Sequence, residues 1–362
     1  MGTLPAENDQ HLQGLGGGRL MRYPSFLPEG GRIGFIAPSF GCTTEPYRSC
    51  FEESLRLFRS MGYETVTGPN CFRDDGIGKS STPENCAAEI NEFFLQDRCD
   101  VIISCGGGET MCEDLPLVDF EAISHAPPKW YMGYSDNTNL TFTLPILCDT
   151  AAIYGPCASA FAMKPLHRSL TDAMDLLAGK AREFTSYEGW EMTSTRSEET
   201  PFEPYNITEP TIMRVIDGQK QETTFAGRLI GGCLDCLTTL VGTRFDRVKD
   251  FAGKYREDGL IWFLESCDLT PMGMRRALWQ MENAGWFEHV RGFLIGRPLH
   301  FQEEVLGMDR INAVTGILSK YKVPVVLDVD LGHLPPMMPL ISGALAEVSA
   351  RPEKLAVKMK LE

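Results

Sequence analysis

Ser135 lies in Gly133-Tyr134-Ser135-Asp136-Asn137-Thr138, directly after the apolar run Trp130-Tyr131-Met132 and before a helix-compatible stretch, Asn137 to Leu147. A serine placed where a buried strand turns sharply into a helix is held exposed at the edge of a sheet, the arrangement of a nucleophile elbow. Such tight turning demands small neighbours, and Gly133 supplies one two places before the serine. Asn137 stands where the G-x-S-x-G pattern has its second glycine, so the match is partial. The chemistry this suggests is acyl transfer through a serine hydroxyl.

A serine is a weak nucleophile until a base takes its proton, and the base needs a third group to orient it. Of the six histidines, His11 lies in an aperiodic leader, and His125, His167 and His289 have the charged neighbours of surface residues. His300 follows Arg297-Pro298-Leu299 at a strand-end position. His333 follows Asp328-Val329-Asp330-Leu331-Gly332 at the end of an apolar strand. Ligands of open α/β folds meet the carboxyl ends of strands, so His333 is the best base, with a hydrogen-bonded loop histidine as the plainer alternative. Glu265 closes the apolar run Leu260 to Leu264 and is placed to orient that imidazole. A solvated strand-end acid is its plainer alternative. Gly106-Gly107-Gly108 lacks the lysine of a P-loop and the spacing of a dinucleotide fingerprint. Its backbone N–H groups suit an oxyanion hole, or the glycines form only a tight turn.

The elements that must position these residues alternate. Arg32 to Ala37, Tyr63 to Val66, Asp100 to Ser104, Trp130 to Gly133 and Ala151 to Tyr154 read as strands, and Glu45 to Met61 and Pro83 to Gln96 as helices. Such alternation predicts an α/β fold with a mostly parallel sheet. Phe184 to Pro210 is polar, acidic and proline-bearing, and reads as a linker carrying a surface loop. Beyond it, strands are expected at Thr211 to Ile216, Thr223 to Leu229, Gly259 to Leu264, Val290 to Ile295 and Val323 to Val329, with a helix at Met272 to Ala284. Ala344 to Ser349 and Lys354 to Met359 form a hairpin or edge pair. The resulting division is a flexible leader over 1–20 with Met21 as the natural start, an N-terminal domain over 21–180, a linker and loop over 181–210, and a C-terminal domain over 211–362.

A chain of 362 residues is long enough for two domains. Its 43% hydrophobic and 23% charged content is that of a globular protein, and its net charge of −15 argues against a nucleic-acid partner. No apolar run is long enough to span a bilayer, and no apolar signal-peptide core stands near the start. Most of the twelve cysteines, such as Cys105, Cys148, Cys157 and Cys267, are scattered singly through apolar segments and read as buried free thiols of a cytoplasmic protein. Cys233 and Cys236 form one C-x-x-C with no second pair to complete a zinc site, so neither a metal nor a cofactor is expected.

Taken in order, these segments resemble the LD-carboxypeptidase family of serine peptidases. The resemblance rests on Ile33-Gly34-Phe35-Ile36-Ala37-Pro38, Gly106-Gly107, Gly133-Tyr134-Ser135-Asp136-Asn137-Thr138, Gly227-Arg228-Leu229-Ile230-Gly231-Gly232, Phe263-Leu264-Glu265 and Gly332-His333. It implies a Ser135-His333-Glu265 triad and an oxyanion hole from the backbone N–H groups of Gly107 and Asp136. It also implies an N-terminal domain like that of class I glutamine amidotransferases, a smaller β-rich C-terminal α/β domain, and a homodimer. Two substrate branches follow from the resemblance. One removes the terminal D-alanine from murein tetrapeptides. The other, resembling the microcin C self-immunity peptidase, releases an acidic aminoacyl group from a nucleotide analogue, with a loop tryptophan, here Trp190, stacking on the base. That branch has an asparagine after the glycine pair and a lysine four residues past the glutamate, where this chain has Cys233 and Leu269. Arg276 matches a family arginine and is a candidate anchor for a substrate carboxylate. The expected activity is murein LD-carboxypeptidase, with the aminoacyl-nucleotide hydrolase as the alternative. A non-catalytic binding protein and a cysteine enzyme using Cys105 are the rivals from other classes.

Overall fold

The computed structural model describes residues 20–362, so His11 and nearly all of the expected leader lie outside the described residues. The chain builds two mixed sheets. In the first, β1 (Arg32–Ile36), β2 (Glu64–Thr67), β3 (Val101–Ser104), β4 (Trp130–Gly133) and β5 (Ala152–Tyr154) run parallel. A sixth strand, Leu340–Ser342, arrives from far along the chain and pairs antiparallel with β5. The sheet is therefore mostly parallel, as expected, and one antiparallel edge strand makes it mixed. The alternating pattern reports β1 to β5, whereas an edge strand of three residues is too short to show a period.

The helices between these strands follow the apolar spacing. In α1 (Tyr47–Ser60), Phe51, Leu55 and Phe58 share the buried face. Next, α2 (Pro83–Leu95) begins with proline at its first position and with the Thr82 side chain accepting from Asn85 N–H. A short α3 (Phe120–His125) precedes β4. After the elbow comes α4 (Thr138–Cys148), in which every residue is buried. Such a helix must be covered on all sides, and α4 packs against both sheets. On the second sheet's side Phe142 meets Trp286 and Trp262, at centroid distances of 5.3 and 6.1 Å. Burial of large apolar side chains of this kind contributes roughly 1.5–3 kcal/mol each, so α4 locks the two sheets into one continuous core. The last helix before the second sheet is α5 (Arg168–Leu177).

The second sheet opens with β6 (Glu183–Thr185), inside the stretch expected to be a linker. A two-stranded pair, β7 (Gly189–Trp190) and β8 (Glu209–Pro210), ties the rest of that stretch together. Next come β9 (Arg214–Ile216), β10 (Thr223–Cys233), β11 (Leu260–Glu265), β12 (Val290–Gly296) and β13 (Val325–Val329). The four from β10 to β13 are parallel and form the sheet's centre. Leu340–Ser342, the intruder in the first sheet, is β14. The chain ends in the hairpin β15 (Leu345–Arg351) and β16 (Lys354–Lys360), and these strands, β6 and β9 make the flanks antiparallel. Among the described residues this mixed sheet has eight strands against six in the first. Its remaining helices are α6 (Leu234–Leu240), α7 (Val248–Lys254), α8 (Pro271–Asn283) and α9 (Arg310–Leu318). Among the described residues no helix is long and apolar enough to cross a membrane.

Candidate active site

Ser135 follows β4 with φ of 62°, a left-handed conformation that costs a non-glycine residue about 1–3 kcal/mol and is held only where its surroundings over-determine it. Those surroundings can be named. A Cβ on Gly133 would lie 2.8 Å from the Cβ of Asn137, so glycine makes room for the asparagine. The Asn137 amide donates to the carbonyls of Gly106 and Tyr134, both at 2.9 Å. Asparagine at this position therefore ties the elbow to the glycine loop after β3. A second glycine could not do so.

Asp136 is 2% exposed and turns its carboxylate away from the serine. It accepts from Ser39 Oγ at 2.5 Å, Met111 N–H at 2.9 Å and Asn139 Nδ2 at 2.9 Å. Burial raises its pKa, against the opposing pull of the Ser39 and Met111 hydrogen bonds. The backbone of Gly107 flanks Ser135, since a Cβ there would lie 3.3 Å from Ser135 Cβ and 3.4 Å from Oγ.

The second sheet supplies the other two groups. Glu265 ends β11 with 1% exposure, and His333 stands on the loop after β13. A buried ion pair fixes that loop, with Arg297 Nη2 2.6 Å from Asp330 Oδ1. Gly332 has φ of 98°, and a Cβ there would meet Glu265 Cβ and Oε2 at 2.7 Å. Only glycine lets the histidine loop close over the carboxylate. His333 Nδ1 lies 2.8 Å from Glu265 Oε2, and Nε2 lies 2.9 Å from Ser135 Oγ. A carboxylate can only accept, so Nδ1 carries a proton and Nε2 of the neutral ring is free to accept from the serine hydroxyl. Burial pulls the imidazole toward its neutral form, but the Glu265 carboxylate and the Cys267 thiol outweigh it and hold the pKa well above the ordinary histidine value.

Several contributors were not legible beforehand. Tyr154, which ends β5, donates its phenolic hydrogen to Glu265 Oε1 at 2.5 Å and accepts from Ser135 N–H at 3.2 Å. Its strand-end position was the available signal. The Tyr134 ring lies 5.2 Å from the imidazole, and Cys267, expected to be buried, is only partly so and lies beside His333. All twelve cysteines are free thiols. Cys105 is fully buried, and its contact with the Cys42 thiol together with burial pushes its pKa well up, so it holds no thiolate to attack with.

A cavity of about 250 Å³ opens on the imidazole side of the site, lined among others by Tyr134, His333, Pro335, Glu191, Arg196 and Tyr205. The two expected substrate contacts lie outside its lining. Trp190 is 4% exposed, packed on Phe301 at 4.9 Å and beneath the Arg297 guanidinium at 5.0 Å, with its indole N–H donated to Pro210 O. Arg276 is exposed on α8. Of the other described histidines, His167 caps α5 and His300 pairs with Glu303.

Residues 33–155 match the LD-carboxypeptidase N-terminal domain and residues 226–348 the LD-carboxypeptidase C-terminal domain. The chain is 26% identical over 328 residues to the microcin C7 self-immunity protein MccF of Escherichia coli, covering 88% of this chain and 90% of that one. It is 25% identical over 340 residues to the Bacillus subtilis protein named probable murein peptide carboxypeptidase, covering 92% and 93%. In fold it is similar to an MccF-like protein from Bacillus anthracis, with a TM-score of 0.79 and 21% identity over 94% of this chain and 100% of that one. The two domain matches, one on each sheet, show that the chain belongs to the LD-carboxypeptidase family of serine-type carboxypeptidases.

Proposed function

We propose that the protein removes the terminal D-amino acid from murein tetrapeptides, with Ser135 as nucleophile, His333 as general base and acid, and Glu265 orienting the imidazole. The observation that carries the chemistry is the unbroken chain from Ser135 Oγ through His333 to Glu265, at 2.9 and 2.8 Å. Ser135 Oγ attacks the carbonyl carbon as its proton passes to His333 Nε2. The N–H groups of Gly107 and Asp136 receive the oxyanion, the term that usually contributes most to acyl transfer. Collapse breaks the C–N bond, and the imidazolium gives its proton to the departing amine. Water, deprotonated by the same imidazole, then releases the acyl group from the serine.

The size of the cavity supports a small leaving group. His333 must protonate that group, so it departs on the imidazole side, where the cavity measures about 250 Å³. Pockets for drug-sized ligands span roughly 300–1,000 Å³. A single amino acid fits within this space. The second reading is hydrolysis of aminoacyl-nucleotide conjugates, and similarity to MccF favours it, since MccF has been solved with aspartyl sulfamoyl adenosine. The packing of Trp190 against Phe301 and Arg297 weighs the other way. A homodimer acting in cytoplasmic cell-wall recycling belongs to the first reading. A side-by-side assay of a murein tetrapeptide and aspartyl sulfamoyl adenosine separates the two. The tetrapeptide is expected to have the higher kcat/KM by on the order of 100-fold, and the reverse order would overturn the proposal.

A further inference from the structure

We infer that Arg196 recognises the free carboxylate of the departing residue, which makes the enzyme selective for chain ends. The inference rests on the peptidase reading above and adds the residue that sets its specificity. A group leaving from the acyl carbon must pass the imidazole that protonates it, so its far end projects into the cavity bordered by His333 and Tyr134. For a terminal amino acid that far end is an anion.

Among the described residues lining the cavity, Arg196 is the one permanent cation. Its side chain is 31% exposed, so it has not been withdrawn into the core. Its protein contacts are long. Nε reaches Ser194 Oγ at 3.3 Å and Nη2 reaches Glu191 Oε1 at 3.4 Å, beyond the 2.7–3.2 Å of a good N–H···O bond. The plane of the guanidinium is steadied by the Tyr205 ring at 5.2 Å. A fork held in place with weakly used donors is suited to a bidentate carboxylate.

The only other charged group of the lining besides the imidazole, Glu191, is the ion-pair partner of Arg196, with Oε1 3.4 Å from Nη2. It is 2% exposed, and its second oxygen accepts from Asn206 N–H at 2.5 Å, so the carboxylate fixes both the loop and one edge of the guanidinium fork. The same residue's N–H donates to Pro335 O at 2.8 Å, two residues from His333. Arg196 is thereby held on a segment tied to the catalytic loop, which fixes the span between imidazole and cation. By contrast Arg276, the arginine singled out in the sequence, points from α8 to solvent.

The test uses two tetrapeptides that differ only in a terminal D-alanine carboxylate or carboxamide, with the wild type, Arg196→Ala and Arg196→Lys. The wild type should prefer the carboxylate by roughly 30-fold in kcat/KM, mostly through KM. Arg196→Ala should cleave the two nearly equally, and Arg196→Lys should keep a several-fold preference. The ratio is internal to each protein, so partial loss of folded enzyme cannot imitate the effect. An Arg196→Ala enzyme that keeps the wild-type ratio overturns the assignment while leaving the peptidase reading intact. A wild type that cleaves neither peptide but hydrolyses aspartyl sulfamoyl adenosine overturns both.

Discussion

Tyr154 and Glu265 come from different sheets, yet the phenol donates to Glu265 Oε1 at 2.5 Å, and the phenol oxygen accepts from the backbone N–H of Ser135 at 3.2 Å. One hydroxyl thus joins the backbone of Ser135 to the carboxylate that is hydrogen-bonded to His333. The Tyr154 side chain is fully buried, and burial together with the Glu265 charge pushes the phenol well above its usual pKa, so it acts as a neutral donor.

Replacing Tyr154 by Phe removes that bridge, leaving the buried Glu265 Oε1 without this donor and the part-buried Ser135 N–H without this acceptor. Stability is expected to fall by about 1–3 kcal/mol in urea unfolding. Turnover should fall at least tenfold with little change in KM, because the loss is of alignment and not of binding.

The pH profile reports the His333–Glu265 pair. His333 must be neutral to take the serine proton, and its pKa is raised well above the ordinary 6.5. Activity should therefore rise with pH through a limb displaced upward from that value. Because the folded pKa is the raised one, the pair's contribution to stability is complete below about 6.5 and is lost as pH climbs through the folded value. Glu265→Gln removes the charge that opposes burial. It should shift the acid limb of kcat/KM to lower pH and reduce kcat on the order of 10⁴-fold, because the imidazole loses its orienting acceptor.

Gly107→Ala tests the oxyanion side. Nothing in the backbone forbids alanine there, but its Cβ would sit 3.3 Å from Ser135 Cβ and 3.4 Å from Oγ. The melting temperature should change little. Turnover should fall on the order of 10²-fold, the cost of moving a reacting group by a fraction of an ångström to an ångström. By contrast, an alanine at Gly232 would place Cβ 2.5 Å from Thr138 Cγ2 where β10 meets α4, and should show its effect in stability first.

Much of this arrangement is written in local sequence. The elbow, the acid that ends β11 and the histidine after β13 each close an apolar run, and the N-terminal strands and helices follow their periodicity. Tertiary relations are less legible. The 181–210 stretch is polar and proline-bearing, so nothing in its pattern announces the two-residue strands β7 and β8 or β6, whose partner β16 lies at the far end of the chain. The same holds for β14, a three-residue strand that crosses to the other sheet. Tyr154 and Arg196 gain their roles only through approaches across 111 and 137 residues of sequence, to Glu265 and to the His333 loop. The resemblance gives Trp190 a base-stacking role, whereas in the fold the side chain is 4% exposed and packs the loop onto Phe301.

The central assignment is Ser135 as nucleophile, and the measurement that bears on it most directly is the turnover of Ser135→Ala on a murein tetrapeptide ending in D-alanine. Loss of the hydroxyl leaves the packing of the elbow in place, so the variant should keep the wild-type melting temperature and lose at least about three orders of magnitude in kcat. Release of D-alanine at a rate near that of the wild type would contradict the assignment.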